Sequence, residues 1–351
     1  MFATLSITLQ SNFILSDMAG NSFGRLFTFS SFGESHSECI GGIIEGFPAG
    51  IKLDMEFIRK EMTRRKSQSK FTTDRREEDE VVFLSGLDRG ITLGTPLAFM
   101  IRNNNIRKED YKDLEGFFRP SHGDFTYFCK YGLNASSGGG RASARETASR
   151  VVGGALAKLY LDKFGIKLDS KIVELGGIDY ISDKDKAEAK LKQALAERDS
   201  LGGVIECTIR NVPAGLGEPV FDKLSSVLAH AAMSIPSAKS FEIGDGLESC
   251  KRKGSQDIDH WKESEGTLTN HSGGVQAGIS NGEDIVFRVG FKPIASIGTL
   301  RCKDTNGTIK EIDNQGRHDI APVLRAGVIV EAMAALVIAD FIKIQQSNKT
   351  I

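Results

Sequence analysis

The chain has 351 residues, 40% of them hydrophobic and 26% charged, with a formal net charge of −1. That balance describes a globular protein able to bury a large core, and it excludes a global field that would gather nucleic acid or acidic membranes. Five scattered cysteines, odd in number and never in a CxxC pair, exclude a disulfide framework or zinc ribbon and lead us to expect a reducing, cytoplasmic location.

In chain order, residues 1–17 lack Lys and Arg and make a poor signal or transit peptide. They are expected to be a disordered extension before a single domain over 18–346, with 347–351 as a tail. A basic run from Arg59 to Arg76 includes Arg64, Arg65 and Lys70, and only Phe71 interleaves it. Such a run is usually a solvated face, and a nucleic-acid surface would need more aromatics and a basic domain. Glu80–Leu84 reads as a short strand.

Gly138 to Thr147 (GGGRASARET) places three glycines ahead of a predicted helix, with Ser143 as N-cap and Glu146 reaching back as a capping box. Arg141 and Arg145, four apart, would share a face at that end, and their charge implies an anionic ligand there. The apolar spacing of Val151, Val152, Ala155, Leu156, Leu159 and Tyr160 buries one face of the helix, which ends near Gly165. The lysine-rich 183–198 reads as a solvated helix. Val204–Val212 alternates as a strand before a Pro213 turn. Phe221, Leu224, Leu228, Ala231 and Ala232 line a second amphipathic helix, and strands are predicted at 285–290 and 297–302.

Val328–Ile344 is apolar on most faces and reads as a central helix. The stretch Ala326–Ile342, interrupted by Glu331 and Asp340, is too short to span a membrane. Strict β–α–β alternation is lacking, so an α+β fold is expected, with antiparallel-rich sheets packed around central helices.

Four of the six histidines lie in polar runs: GESHS (33–37), RPSHGD (119–124), NHSGG (270–274) and GRHD (316–319). Loops of this composition bring imidazoles and guanidiniums to anionic ligands. The histidines lack metal-ligand spacing, so no metal is expected. GxxxxGK[ST] and GxGxxG loops are lacking, which argues against Walker-type nucleotide hydrolases and Rossmann dehydrogenases. Residue chemistry alone therefore gives an enzyme acting on a multiply anionic metabolite.

The motifs GESHS, RRKSQSKFTTDRREEDEV, RPSHGDFTY, GGGRASARETASRV, VPAGLGEPVFDKL, NHSGGVQAGISNG and GRHD occur in the order found in chorismate synthases. By this resemblance, which runs from about Met18 to the last helix, the chain is identified as a member of that family. The resemblance implies a homotetramer of β-α-β sandwiches. It also implies a carbon–oxygen lyase acting on phosphates: an anti-1,4 elimination from 5-enolpyruvylshikimate 3-phosphate giving chorismate, with reduced FMN and no net redox change.

Carried over residue by residue, the resemblance makes His36 the acid near the flavin and His122 the group that protonates or stabilises the departing phosphate. Asp319 would relay the C6 proton. FMN contacts would come from Arg141, Ala142, Ser143, Pro236, Ser237, Ala277, Lys292, Pro293, Ile294, Ala295, Ser296 and Arg317. NADPH contacts would come from Arg64 and Lys70, and substrate contacts from Ser35, Arg64, Arg65 and Arg145. The family usually has Gly where Ser37, Ser67, Ser121, Ser240 and Ala277 stand, Pro at Lys66, and Arg at Lys70.

Overall fold

The computed structural model describes residues 20–66, 71–72, 79–104, 114, 116–134, 137–313 and 319–348. The strands are β1 (Ser22–Phe23), β2 (Thr28–Gly33), β3 (Cys39–Glu45), β4 (Val81–Phe83), β5 (Leu87–Asp88), β6 (Ile91–Thr92), β7 (Leu97–Arg102), β8 (Phe117–Phe118) and β9 (Lys167–Leu175). They continue with β10 (Ile178–Asp179), β11 (Gly203–Arg210), β12 (Ala238–Ile243), β13 (Val275–Gln276), β14 (Ile279–Ser280), β15 (Ile285–Phe291), β16 (Thr299–Asp304) and β17 (Ile309–Asp313). The helices are α1 (Met55–Lys66), α2 (Asp124–Tyr131), α3 (Thr147–Leu161), α4 (Lys184–Ala196), α5 (Leu224–Met233), α6 (Gly254–Asp257) and α7 (Val323–Ser347).

Two five-stranded antiparallel sheets, ordered β1-β2-β3-β7-β4 and β10-β9-β11-β15-β12, enclose a helical layer of α1, α3, α5 and α7. This is the predicted α+β sandwich. Alternation along the strands explains it. In the first sheet Phe29, Ile40, Ile44, Leu97, Phe99 and Ile101 point inward; in the second, Ile205, Cys207, Ile209, Ile285, Phe287 and Val289 do. Every residue of α7 from Val328 to Ile342 is buried, so the helix is apolar all round because sheets and helices surround it.

Two acids interrupt that apolar helix, and both are answered. Asp340 accepts backbone N–H bonds from Arg25, Leu26 and Phe27 at 3.0, 2.7 and 2.8 Å. Glu331 forms a bidentate pair with Arg64 (2.7 and 2.5 Å) and also accepts from Lys158 and Ser170. Glu61 bonds the same Arg64 and Lys158, so two carboxylates face two cations inside the helical layer. Burial alone would raise the Glu331 carboxyl, but Arg64 and Lys158 overcome it and hold it below its ordinary 4.5.

The helix crossing is close because Gly154 of α3 faces Ala332 of α7, where an added Cβ would stand 2.3 Å from the Ala332 Cα. We expect Gly154→Ala to lower stability by at least about 1–3 kcal/mol, the usual overpacking penalty. Urea melts of the two proteins measure it, and an unchanged midpoint would mean that the crossing relaxes freely.

Three local expectations are corrected. Phe221 precedes α5 and is 89% exposed, because the chain is still in the turn after Gly217. The three glycines do not abut the helix: they lie within a 3-10 turn over Ser137–Ala142, and a second turn over Ala144–Glu146 separates it from α3. Ser143 does cap, accepting from the Arg145 N–H, but Glu146 turns away to pair with Arg150 at 2.5 Å instead of closing a capping box.

Candidate active site

A cavity of about 470 Å³ opens where six segments meet: the end of α1, the RPSHGD turn, the 139–147 turns, the 235–237 segment after α5, the segment following β15, and the first turns of α7. That volume suits a small-molecule ligand. Its lining carries six cationic side chains (Arg65, Lys66, Arg119, Arg145, Lys292, Arg325) and three carboxylates. Each carboxylate is held by an arginine: Asp79 by Arg145 at 2.5 Å, Asp124 by Arg119 at 2.7 Å, and Asp319 by Arg325 at 3.0 Å. The wall is therefore net positive and its acids are fixed, as a polyanion site requires. Ile235, Phe291 and Ile329 add an apolar portion.

His122 stands at this wall. Its Nδ1 lies 3.0 Å from the Pro120 carbonyl, which can only accept, so Nδ1 carries the proton in the neutral ring. Nε2 lies 2.7 Å from the Ser296 hydroxyl. Burial foremost, then the Arg119 charge and more weakly Lys292, lower the His122 pKa from 6.5; the Pro120 bond and Asp124 oppose them without prevailing. The resting imidazole is accordingly neutral at pH 7. The turn itself is rigid: Asp124 takes the Arg119 guanidinium through two bonds and also its backbone N–H, and Lys292 Nζ donates to the Ser121 carbonyl.

Of the other expected residues, Asp319, Ala142, Ser143, Pro236, Ser237, Lys292, Ile294, Ala295, Ser296, Arg65 and Arg145 line this cavity. His36, Ser35, Arg64, Arg141, Pro293 and Ala277 are not among its lining residues. Lys70 and Arg317 lie outside the described residues. Arg141 and Arg145 do not share a face. Arg141 reaches back to Asn21, to the Ser31 hydroxyl at 2.7 Å and to the Gly33 carbonyl, whereas Arg145 is buried on Asp79 and Asn103. Arg64 is turned to Glu331, whose hydrogen bond and charge, joined by those of Glu61, raise its pKa further against the opposing effect of burial.

His36 occupies the β2–β3 loop, its Nδ1 2.9 Å from the Ser35 hydroxyl. This loop touches the cavity-forming turn through Ser35 N–H, which donates to the Gly140 carbonyl. Asn103 braces the loop by donating to the carbonyls of Glu34 and Ser37 at 2.9 and 2.7 Å, while its own oxygen accepts from Arg145.

The sequence profile described as chorismate synthase matches residues 27–342. The chorismate synthase of Bacteroides fragilis (strain YCH46) is 47% identical over 350 residues, covering 92% of this chain and 97% of its own. That of Sulfurimonas denitrificans is also 47% identical, over 94% and 97%. A crystal structure of a chorismate synthase superposes with a TM-score of 0.69 at 31% identity, covering 92% of this chain and 93% of the other.

The chain belongs to the chorismate synthase family. It is an enzyme of that kind, a lyase of aromatic amino-acid biosynthesis. Its fold is the sandwich that the family resemblance implied. In this chorismate synthase family member, sequence reasoning missed Asn103, Asp79, Arg119 and Arg325. Asn103 and Arg325 sit in no quoted motif. Asp79 and Arg119 sat inside motifs, but neither signalled that it would pair with another residue on the same wall.

Two positions where the family usually has glycine hold left-handed backbone here: Ser121 (φ 59°) and Ala277 (φ 52°). Ala277 and Gly278 form the two-residue turn between β13 and β14, with positive φ at both. We expect Ala277→Gly to stabilise the protein by about 1 kcal/mol, because a Cβ in this region is strained by roughly that much. A denaturant midpoint that stays put or falls would refute it.

Proposed function

We propose that this enzyme catalyses the anti-1,4 elimination of phosphate and the C6 proton from 5-enolpyruvylshikimate 3-phosphate to give chorismate, using reduced FMN without net oxidation or reduction. The observation that carries the reading is one cavity with six cations, three fixed carboxylates and a histidine at its wall. The substrate's phosphate and two carboxylates are matched by that excess of positive charge, each charge-assisted contact contributing about 1.5–3 kcal/mol. The apolar portion beside polar side chains also fits a flavin, whose flat ring needs both. Ala142, Ser143, Pro236, Ser237, Lys292, Ile294, Ala295 and Ser296 would hold it; Pro293, Arg141, Ala277 and Arg317 join them by resemblance. Reduced flavin, when bound, supplies electron density to the allylic system and the acceptor for the C6 proton.

The chain's own residues supply the remainder. Arg65 and Arg145 orient the anionic groups, with Ser35 and Arg64 as further substrate contacts. His122 meets the departing phosphate. A dianion beside the imidazole opposes the burial and cationic neighbours that keep it neutral at rest, so it takes up a proton as the anion binds. His36 serves as the second acid, and Asp319, oriented by Arg325, passes on the proton from C6. The reductant would be NADPH, contacting Arg64 and Lys70; for Arg64 this requires exchange of its bond to Glu331.

We also propose a homotetramer in the cytoplasm. The outer face of the second sheet is charged, with Glu206 between Lys171 and Arg288. The outer face of the first carries Phe32, Ile43, Ala98, Met100 and Val82, an apolar surface suited to a second copy. All five cysteines are free, which suits a reducing compartment. Among the described residues, no helix is long and apolar enough to cross a membrane.

Anaerobic incubation with reduced FMN and the enolpyruvyl substrate is expected to release phosphate and chorismate in equal amounts. Absence of product at saturation rejects the proposal. Stoichiometric NADPH consumption would indicate net hydride transfer instead, and repeating the assay with NADPH as the reductant shows whether the chain reduces its own flavin.

A further inference from the structure

We propose that Ser296 is a positioning residue for His122, a hydroxyl that follows the imidazole through both protonation states without either side chain moving. The inference rests on the function proposed above and gives the Ser296 hydroxyl a partner other than flavin.

The geometry is closed on both ring nitrogens. With Nδ1–H committed to the Pro120 carbonyl, the neutral ring presents a lone pair at Nε2, and the Ser296 hydroxyl donates to it across 2.7 Å. Once Nε2 gains a proton it becomes a donor, and the same hydroxyl rotates to accept. A carbonyl, ammonium or guanidinium at that position could serve only one state; a hydroxyl serves both.

Both partners are anchored independently. His122 sits in the turn locked by Arg119 and Asp124. Ser296 follows β15 in a segment whose Ile294 carbonyl accepts from the Ser200 hydroxyl at 2.6 Å and whose Lys292 N–H donates to Ser237. The two residues are 174 apart in sequence and meet on one cavity wall.

The surroundings give the arrangement its purpose. Arg119 and Lys292 face His122 and disfavour its proton, while Asp124 favours it but is itself bound to Arg119. A protonated ring beside two cations needs a nearby acceptor, and Ser296 is one. Removing it should make the proton harder to hold during turnover.

The test compares Ser296→Ala and Ser296→Thr at saturating reduced FMN, under anaerobic conditions. Alanine is expected to lower kcat about tenfold with little change in KM. It should also move the alkaline limb of the kcat–pH profile down by about one unit, the tenfold change in proton affinity that one charge-assisted hydrogen bond carries. Threonine, keeping the hydroxyl, should restore both. A raised FMN Kd in Ser296→Ala, with kcat and the pH limb unchanged at saturation, would make Ser296 a flavin contact alone and overturn the proposal.

A second readout needs no turnover. In ¹⁵N-histidine-labelled protein, with signals assigned through His122→Ala, wild-type His122 should appear as the Nδ1–H form and its titration midpoint should fall in Ser296→Ala. An unchanged midpoint overturns the pairing. A wild type that titrates as expected but forms no chorismate would instead reject the proposed function.

Discussion

Replacing Glu331 with alanine is expected to destabilise the protein by roughly 3–5 kcal/mol, a large part of an ordinary domain's stability of about 5–15 kcal/mol. The carboxylate is fully buried and accepts from Arg64, Lys158 and Ser170. Without it, Arg64 and Lys158 keep only Glu61 between them inside the helical layer, and an uncompensated buried cation is what makes breaking such a pair costly. The measurement is a denaturant titration; a shifted midpoint with an unchanged slope isolates stability from compactness. A loss under about 1 kcal/mol would mean that water reaches the cluster as it does a surface pair. The pH dependence follows in sign. Because the folded carboxyl lies below its ordinary value of 4.5, its contribution is present above that value and is lost as the pH falls through the lowered one. The acid unfolding of wild type should therefore be steeper than that of Glu331→Gln.

His122→Ala is expected to lower kcat by about 10²–10⁴, the usual contribution of a placed acid, while leaving FMN binding and the circular dichroism spectrum unaltered. The imidazole is held neutral at rest by burial, with Arg119 adding to the effect, so its proton arrives with the anionic substrate. Its loss should also abolish the alkaline limb of the kcat–pH profile, because only the protonated ring donates. A variant with full activity and the wild-type profile would remove His122 from the chemistry.

The sequence made the scaffold legible for simple reasons. Helical spacing marked α3 because it buries one apolar face, apolar composition on most faces marked α7 because sheets and helices surround it, and alternation marked β11 because one side of the sheet meets helices and the other meets water. The fate of individual charges was less legible. Arg64 and Lys66 belong to one basic run, yet Lys66 lines the cavity and Arg64 turns inward, a choice made by Glu331, 267 residues later. His36 and His122 have similar neighbours in sequence, each preceded by serine. Only His122 lines the cavity, because the turn that carries it packs against the segment after β15. The Gly-rich run did mark the cavity wall, through Gly139, Ala142 and Ser143. It could not show that Arg141 would be spent on β2, because hydrogen bonds to backbone carbonyls leave no pattern in composition.

The hold of Asp340 on residues 25–27 joins positions up to 315 apart, and the helix that carries it comes after every other element among the described residues. During synthesis the strands of both sheets therefore precede α7, which of the four helices between them has the most buried residues. Until α7 leaves the ribosome, the inner faces built on Phe29, Phe99 and Phe287 lack a large part of their cover. A nascent chain with such apolar surface exposed is prone to associate. The central helix thus sets the order of assembly as well as the core, and its synthesis becomes the event that commits the sandwich to its native state.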